Sequence, residues 1–193
     1  MLKIIAGKHR GRNIETLPGK EIRPTTGFTR EAVFNILMHG QFGGENSPLI
    51  EKRVVDLFCG TGALGFEALS RGATHVSFID QNPKALDLAK KTATSIGEIK
   101  NTVFVRSDST HVPKAHIPCS LAFVDPPYEK GMAEKGLDSL IFGGWLEDGA
   151  IIVVEQAKKE TLKPPVSMTL LDERTYGITR ITILKYTPTA KSN

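Results

Sequence analysis

Four consecutive residues, Asp125-Pro126-Pro127-Tyr128, close the apolar run Leu121 to Val124 and combine an acid, two prolines and an aromatic ring. Neither proline carries an amide hydrogen, so a strand ending here stops pairing and the carbonyl of Pro126 is left for another donor. Acid, carbonyl and ring suit a planar amine: two acceptors for its N–H groups and a face to stack on its base. The plain alternative is a strand-to-loop turn, and the tetrapeptide alone does not separate the two.

A second constellation lies upstream. Asp56-Leu57-Phe58-Cys59-Gly60-Thr61-Gly62-Ala63-Leu64-Gly65 passes from strand-like into helix-like sequence and has the G-x-G-x-x-G spacing, with Asp80 closing the next strand. Glycines there admit a ligand close to the backbone, and an acid at Asp80 is placed to hold ribose hydroxyls. A nucleotide-derived cofactor follows from that order. Asp56 bears on which one, because a carboxylate just before the helix repels the pyrophosphate of a dinucleotide. S-adenosyl-L-methionine presents an ammonium, a sulfonium and a ribose, which acids at Asp56 and Asp80 complement. The expected cofactor-binding residues are therefore Asp56, Phe58, Gly60, Gly62 and Asp80, with Ser107 and Asp108 at the end of a third strand meeting the adenine amine. Asp108 also reads as an ordinary turn acid, and that alternative stays open.

These residues need strand ends to hold them. From Arg53 onward strands alternate with helices, the pattern of a parallel sheet covered on both faces. Strands are expected at 53–58, 75–80, 102–106, 120–125 and 149–154. Helices are expected at 63–71, 83–96 and 133–142, with Gly72, Asn82-Pro83 and Gly97 as end signals. Segments 166–173 and 178–186, joined through Thr175-Tyr176-Gly177, should form an antiparallel hairpin. Before the sheet, 2–6 and 12–17 flank Gly7-Lys8-His9-Arg10-Gly11 and read as a small hairpin whose basic tip is aimed at solvent. A helix follows over about 28–38, with Gly27 or Thr29 as N-cap. The expected organisation is an extension over 1–40, a main domain over 41–186 and a disordered tail over 187–193.

The 193 residues, 40% of them hydrophobic, suffice for one core with a modest addition. No apolar run approaches a membrane span and no signal h-region follows Met1, so a cytoplasmic protein without membrane contact is expected. Cys59 and Cys119 read as reduced core thiols, and neither they nor the five histidines show metal-ligand spacing, so no metal is expected. Cys119 follows Pro118, a pairing also found around nucleophilic cysteines, but it stands at the wrong end of its strand for that role. The net charge of +4 says less than its distribution. Lys3, Lys8, Arg10, Arg12, Lys20, Arg23 and Arg30 crowd the amino-terminal segment, which points to a polyanion such as nucleic acid.

The residues also resemble a known family. Arg23-Pro24-Thr25-Thr26 with Arg30-Glu31 and Phe34-Asn35-Ile36-Leu37, the block from Asp56 through Gly65 to Glu67-Ala68-Leu69-Ser70-Arg71-Gly72-Ala73, and Asp125-Pro126-Pro127-Tyr128 are similar to the RsmD family of 16S ribosomal RNA guanine-N2 methyltransferases. The resemblance spans nearly the whole chain. It implies a Rossmann-like class I methyltransferase: a mostly parallel seven-stranded sheet, helices on both faces, an antiparallel carboxyl-terminal hairpin and the small amino-terminal hairpin. It implies methyl transfer from S-adenosyl-L-methionine to a guanine N2 amine, with Asp125, Pro126, Pro127 and Tyr128 as catalytic residues. Ribosomal RNA, within the small subunit, is the implied partner, and Lys8, Arg10, Arg12, Arg23, Thr25, Thr26 and Arg30 are its expected contacts on a monomeric enzyme. Three other readings compete. A DNA adenine-N6 methyltransferase uses the same tetrapeptide chemistry; an NAD-dependent dehydrogenase accounts for the glycines and Asp80 alone; a non-catalytic RNA-binding module accounts for the basic hairpin alone.

Overall fold

The structure is a computed structural model that describes residues 2–17, 27–42, 44, 47–127 and 131–188. Two short strands, β1 (Leu2–Lys3) and β2 (Asn13–Ile14), pair antiparallel and lead to helix α1 (Gly27–Met38). Then come β3 (Arg53–Leu57), α2 (Ala63–Ser70), β4 (His75–Asp80), α3 (Pro83–Ser95), β5 (Thr102–Arg106), β6 (Cys119–Val124), α4 (Met132–Phe142) and β7 (Leu146–Ala157). The chain closes with β8 (Met168–Tyr176) and β9 (Thr179–Tyr186).

Seven strands form one sheet in the order β5-β4-β3-β6-β7-β9-β8. β3 to β7 pair parallel, and β9 pairs antiparallel with both β7 and β8. The order reverses between β3 and β6. Such a switch point opens a crevice at the carboxyl ends of the strands, the usual ligand site of open α/β sheets.

Alternation along each central strand builds two cores. Val54, Val76, Phe78, Leu121, Phe123 and Val153 face α1, α2 and α3. Their neighbours Val55, Leu57, Ile79, Ala122, Val124 and Ile152 face α4 through Ala133, Leu137 and Leu140. Ile4, Ile14, Val33, Phe34 and Leu37 lie in the first core, so the amino-terminal segment packs against the sheet.

Several expected boundaries move. β7 begins at Leu146, three residues before the apolar run, because its pairing with β6 is interrupted between Cys119 and Leu121 and the excess is taken up around Gly149 at φ 80°. The charged Glu147 and Asp148 conceal that start from a hydrophobicity pattern. Gly27 and Thr29 are not N-caps, since both lie within α1.

The amino-terminal hairpin tip is not aimed freely at solvent. The Lys8 amide donates to the Ser70 carbonyl (2.8 Å) and the His9 amide to the Ser70 hydroxyl (3.0 Å), at the last residue of α2. Glu98, buried, meets both the Lys8 ammonium and His9 Nε2 at 2.6 Å. Gly7 permits the approach: a Cβ there would fall 1.8 Å from the Ser70 carbonyl oxygen, so the tip docks only with glycine at that position. α2 runs back from the carboxyl edge of the sheet to its amino edge, which puts Lys8 and His9 at the edge opposite the crevice.

Candidate cofactor and catalytic site

The loop after β3 is held in a conformation that ordinary residues avoid. Phe58, Gly60 and Gly62 have φ values of 61°, 52° and 85°. A non-glycine residue in the left-handed region costs on the order of 1–3 kcal/mol and is found where structure over-determines it. Here α4 supplies the constraint: Phe58 packs into the gap left by Gly136, where a Cβ would lie 2.9 Å from its ring.

The three glycines of the loop do different work. A Cβ on Gly62 would lie 2.7 Å from Phe78 and one on Gly65 only 2.3 Å, so these two let α2 settle on β4. Among the described residues, a Cβ on Gly60 would meet nothing within 4 Å. Gly60 therefore faces open space, where a ligand can come up to the backbone.

Carboxylates surround that space. Asp80 accepts from the Gly60 amide through one oxygen and from the Asn82 amide through the other, both at 2.8 Å, so it ties the loop to β4 while each oxygen keeps a further lone pair. Asn82 in turn caps α3, accepting from Lys84 at 3.0 Å with Pro83 in the first turn. Asp56 is 2% exposed and accepts from the Gly65 amide at 2.9 Å. Burial pushes its carboxyl up to about 8; the Gly65 bond opposes that, while Asp125 and Asp80 add repulsion. Three acids from the ends of β3, β4 and β6 thus share one electrostatic environment. A cation in the crevice would relieve it, and an anionic pyrophosphate would worsen it.

Asp125 and Pro126 follow Val124, which pairs with Leu57 of β3. Asp125 is half-buried, Pro126 buried and Pro127 exposed. Asp125-Pro126-Pro127 and the glycine loop are therefore brought side by side across the switch point, from positions about 65 residues apart. Tyr128, expected to be catalytic, lies outside the described residues, as do Arg23, Thr25 and Thr26 of the expected RNA surface.

Ser107 and Asp108 stand at the end of β5 and are engaged in their own turn. The Ser107 hydroxyl donates to the carbonyls of His111 (3.1 Å) and Asp108 (3.3 Å). Asp108 Oδ1 accepts from the amide and hydroxyl of Thr110, each at 2.8 Å, which lowers the carboxyl pKa. Cys119 opens β6 and is buried, with its thiol pushed up to about 12 by desolvation, so it is an inert core residue. Cys59 is also buried, and both thiols are free. Trp145 packs in the second core and donates to the Pro113 carbonyl at 2.8 Å.

Arg30 requires a correction. It is 2% exposed and cannot present its charge to RNA. Its guanidinium donates to the Lys3 carbonyl at 2.6 Å and lies 3.6 Å from Glu67. Glu67, fully buried, was not singled out by motif reading, yet it also accepts from the amides of Ile5 and Ala6 and from Arg71 at 2.7 Å. A glutamate inside the apolar helix Ala63–Ser70, with Arg71 four residues on, was the available signal. Lys8, Arg10 and Arg12 remain exposed, though Lys8 is paired with Glu98 and Arg12 donates to the Ser95 carbonyl.

Among the described residues no helix is long and apolar enough to cross a membrane, and no group of three or more His, Cys, Asp or Glu could hold a metal ion.

Comparison with known proteins agrees with this architecture. The family described as Conserved hypothetical protein 95 matches residues 2–185. The Haemophilus influenzae ribosomal RNA small subunit methyltransferase D is 34% identical over 182 residues, covering 92% of this chain and 90% of that protein. The Escherichia coli K12 protein of the same name is 32% identical over 179 residues, covering 91% and 85%. Among solved structures, the Escherichia coli protein yhhF superposes with a TM-score of 0.80 at 26% identity over 97% of this chain and 99% of that one. A methylase structure from Haemophilus influenzae gives 0.77 at 30% identity over 97% and 99%. The fold is that of the Rossmann-like methyltransferases, and the chain belongs to the Conserved hypothetical protein 95 family, which is the RsmD family.

Proposed function

We propose that this protein transfers a methyl group from S-adenosyl-L-methionine to the exocyclic N2 amine of a guanine in small-subunit ribosomal RNA. One observation carries the reading: an open, glycine-walled approach at Gly60 stands beside Asp125-Pro126 at the switch point, within a cluster of acids. Membership of the family and the names of the relatives support ribosomal RNA as the substrate class.

When bound, S-adenosyl-L-methionine supplies a methyl group already activated on a sulfonium. The chain's own residues do the rest. Gly60 admits the cofactor to the backbone, Asp80 holds ribose hydroxyls, the loop from Phe58 to Gly62 lines the approach, and Asp56, giving up its proton as the cofactor binds, offers negative charge to the ammonium. Asp108 and Ser107 receive the adenine end. Guanine N2 is a poor nucleophile because its lone pair is delocalised into the ring. Hydrogen bonds from its two hydrogens to the Asp125 carboxylate and the Pro126 carbonyl favour a pyramidal nitrogen and aim its lone pair at the methyl carbon. Positioning and charge placement then carry the catalysis. Tyr128 stacks on the flipped base, contributing about 1–3 kcal/mol against the few kcal/mol of unstacking. Asp125 or water takes the proton that the product nitrogen releases.

The test is to incubate the protein with labelled S-adenosyl-L-methionine and, separately, unmodified small ribosomal subunits, protein-free ribosomal RNA and duplex DNA, then map the methylated base by mass spectrometry. N2-methylguanine in small-subunit RNA is expected. N6-methyladenine in the DNA, with the RNA unmodified, would overturn the reading.

A further inference from the structure

The turn between β8 and β9 stands above the catalytic edge of the sheet. Val124, the residue before Asp125, pairs with Val154 of β7, whereas the end of β7 reaches Ala157, which pairs with Thr179, itself opposite Tyr176. The pair that closes the turn therefore stands two residues beyond the level of Asp125, roughly 7 Å, and lies two to three strand spacings to its side, about 10–14 Å.

Its surface is apolar and aromatic where the fold does not require it. Phe28, in the first turn of α1, is 68% exposed and meets the ring of Tyr176 edge-on with centroids 6.0 Å apart. Ile178 at the turn is 75% exposed. The Lys158 amide donates to the Ile178 carbonyl at 2.8 Å, which fixes the exposed Lys158 and Lys159 beside the turn. The neighbouring charges largely cancel: Arg174 pairs with Asp172 at 2.9 Å and Arg180 lies 3.6 Å from Glu173. Lys158 and Lys159 make no ion pair among the described residues, and Glu160 is the acid that follows them.

The geometry points to a single-stranded RNA platform formed by Phe28, Tyr176 and Ile178 with Lys158 and Lys159, which holds unstacked nucleotides flanking the target base. The inference rests on the RNA methyltransferase reading above and adds to it a second surface, on the catalytic edge and separate from the amino-terminal hairpin. The exposed Phe28 ring, backed by the half-buried Tyr176, takes bases of any sequence by stacking, and two lysines without an ion pair among the described residues match a phosphate backbone.

The experiment compares binding of the full chain to a short single-stranded RNA and to a duplex RNA of the same sequence, by fluorescence anisotropy, with thermal melting to verify folding. Phe28→Ala combined with Ile178→Ser should weaken single-strand binding about five- to tenfold, the lower range for loss of one stacked base, and leave duplex binding within twofold. Lys158→Glu with Lys159→Glu should weaken both and flatten the salt dependence. Unchanged single-strand binding in the Phe28/Ile178 variant, or an equal loss on single strand and duplex, would overturn the platform. So would a defect seen only with assembled subunits, which would mark a protein contact. The methyltransferase reading is scored separately, by methyl transfer from the wild-type chain, so either can fail alone.

Discussion

Arg30 of α1 and Glu67 of α2 lie 3.6 Å apart with side chains 2% and 0% exposed, and between them they tie down the amino-terminal hairpin. Arg30 donates to the Lys3 carbonyl, while Glu67 accepts from the amides of Ile5 and Ala6. The pair fastens the amino-terminal segment to α1 and α2. Without Arg30, Glu67 keeps Arg71 at 2.7 Å and the two amides, but the Lys3 carbonyl loses its donor and a large buried side chain leaves a void, a combined cost of about 2–4 kcal/mol. Arg30→Ala should lower the melting temperature by roughly 10 °C, whereas Arg10→Ala, at an exposed position, should leave it nearly unchanged. Equal melting temperatures for the two variants would return Arg30 to the surface.

Asp125→Ala should nearly abolish methyl transfer and leave cofactor affinity within a few-fold of normal, because the carboxylate addresses the amine rather than the nucleoside. Single-turnover rates with labelled cofactor, alongside calorimetric binding, separate the two effects. Substantial residual turnover would sink the catalytic assignment.

The loop glycines give opposite signatures. Gly65→Ala puts a Cβ 2.3 Å from Phe78 and should destabilise the fold by about 1–3 kcal/mol through overpacking. Gly60→Ala meets no atom of the described residues within 4 Å and carries only a left-handed backbone cost of about 1–2 kcal/mol. Its main effect should be on the ligand, a loss of cofactor affinity of at least tenfold. Denaturant melts and calorimetry on both variants distinguish packing from approach.

The pH behaviour of Asp56 has a definite sign. Its carboxyl is up to about 8 in the folded state, against 3.8 ordinarily, so the folded protein holds an extra proton between those values. The group's penalty is absent below about pH 4, grows as pH rises, and is complete above about pH 8. Urea denaturation across that window should show stability falling with pH in the wild type and a flatter profile in Asp56→Asn. Cofactor binding near pH 7 should release a proton, read as a dependence of the calorimetric heat on buffer ionisation enthalpy.

Arg10→Glu with Arg12→Glu should weaken RNA binding and reduce its salt dependence, since phosphate contacts release counterions. Both side chains stay exposed at the amino edge of the sheet, so methyl transfer to a short RNA reaching only the crevice should be spared. Filter binding over a salt series, next to turnover on short and long RNAs, checks both halves.

The order of elements and the chemistry of the strand ends were legible in the chain, because both are local. Short apolar runs mark β3, β4 and β6; Asn82-Pro83 marks the start of α3; Asp125-Pro126-Pro127 can only end a strand. What the chain did not disclose depends on partners distant in sequence. Pairing of Val124 with Leu57 is what puts Asp125-Pro126-Pro127 beside the glycine loop. Arg30 read as a surface cation because Glu67, which buries it, stands 37 positions away on another helix. The basic tip read as free because Ser70 and Glu98 are invisible from residues 7 to 11. Periodicity and turn chemistry act within a few residues, whereas burial and ion pairing are set by whichever surfaces the sheet order brings together.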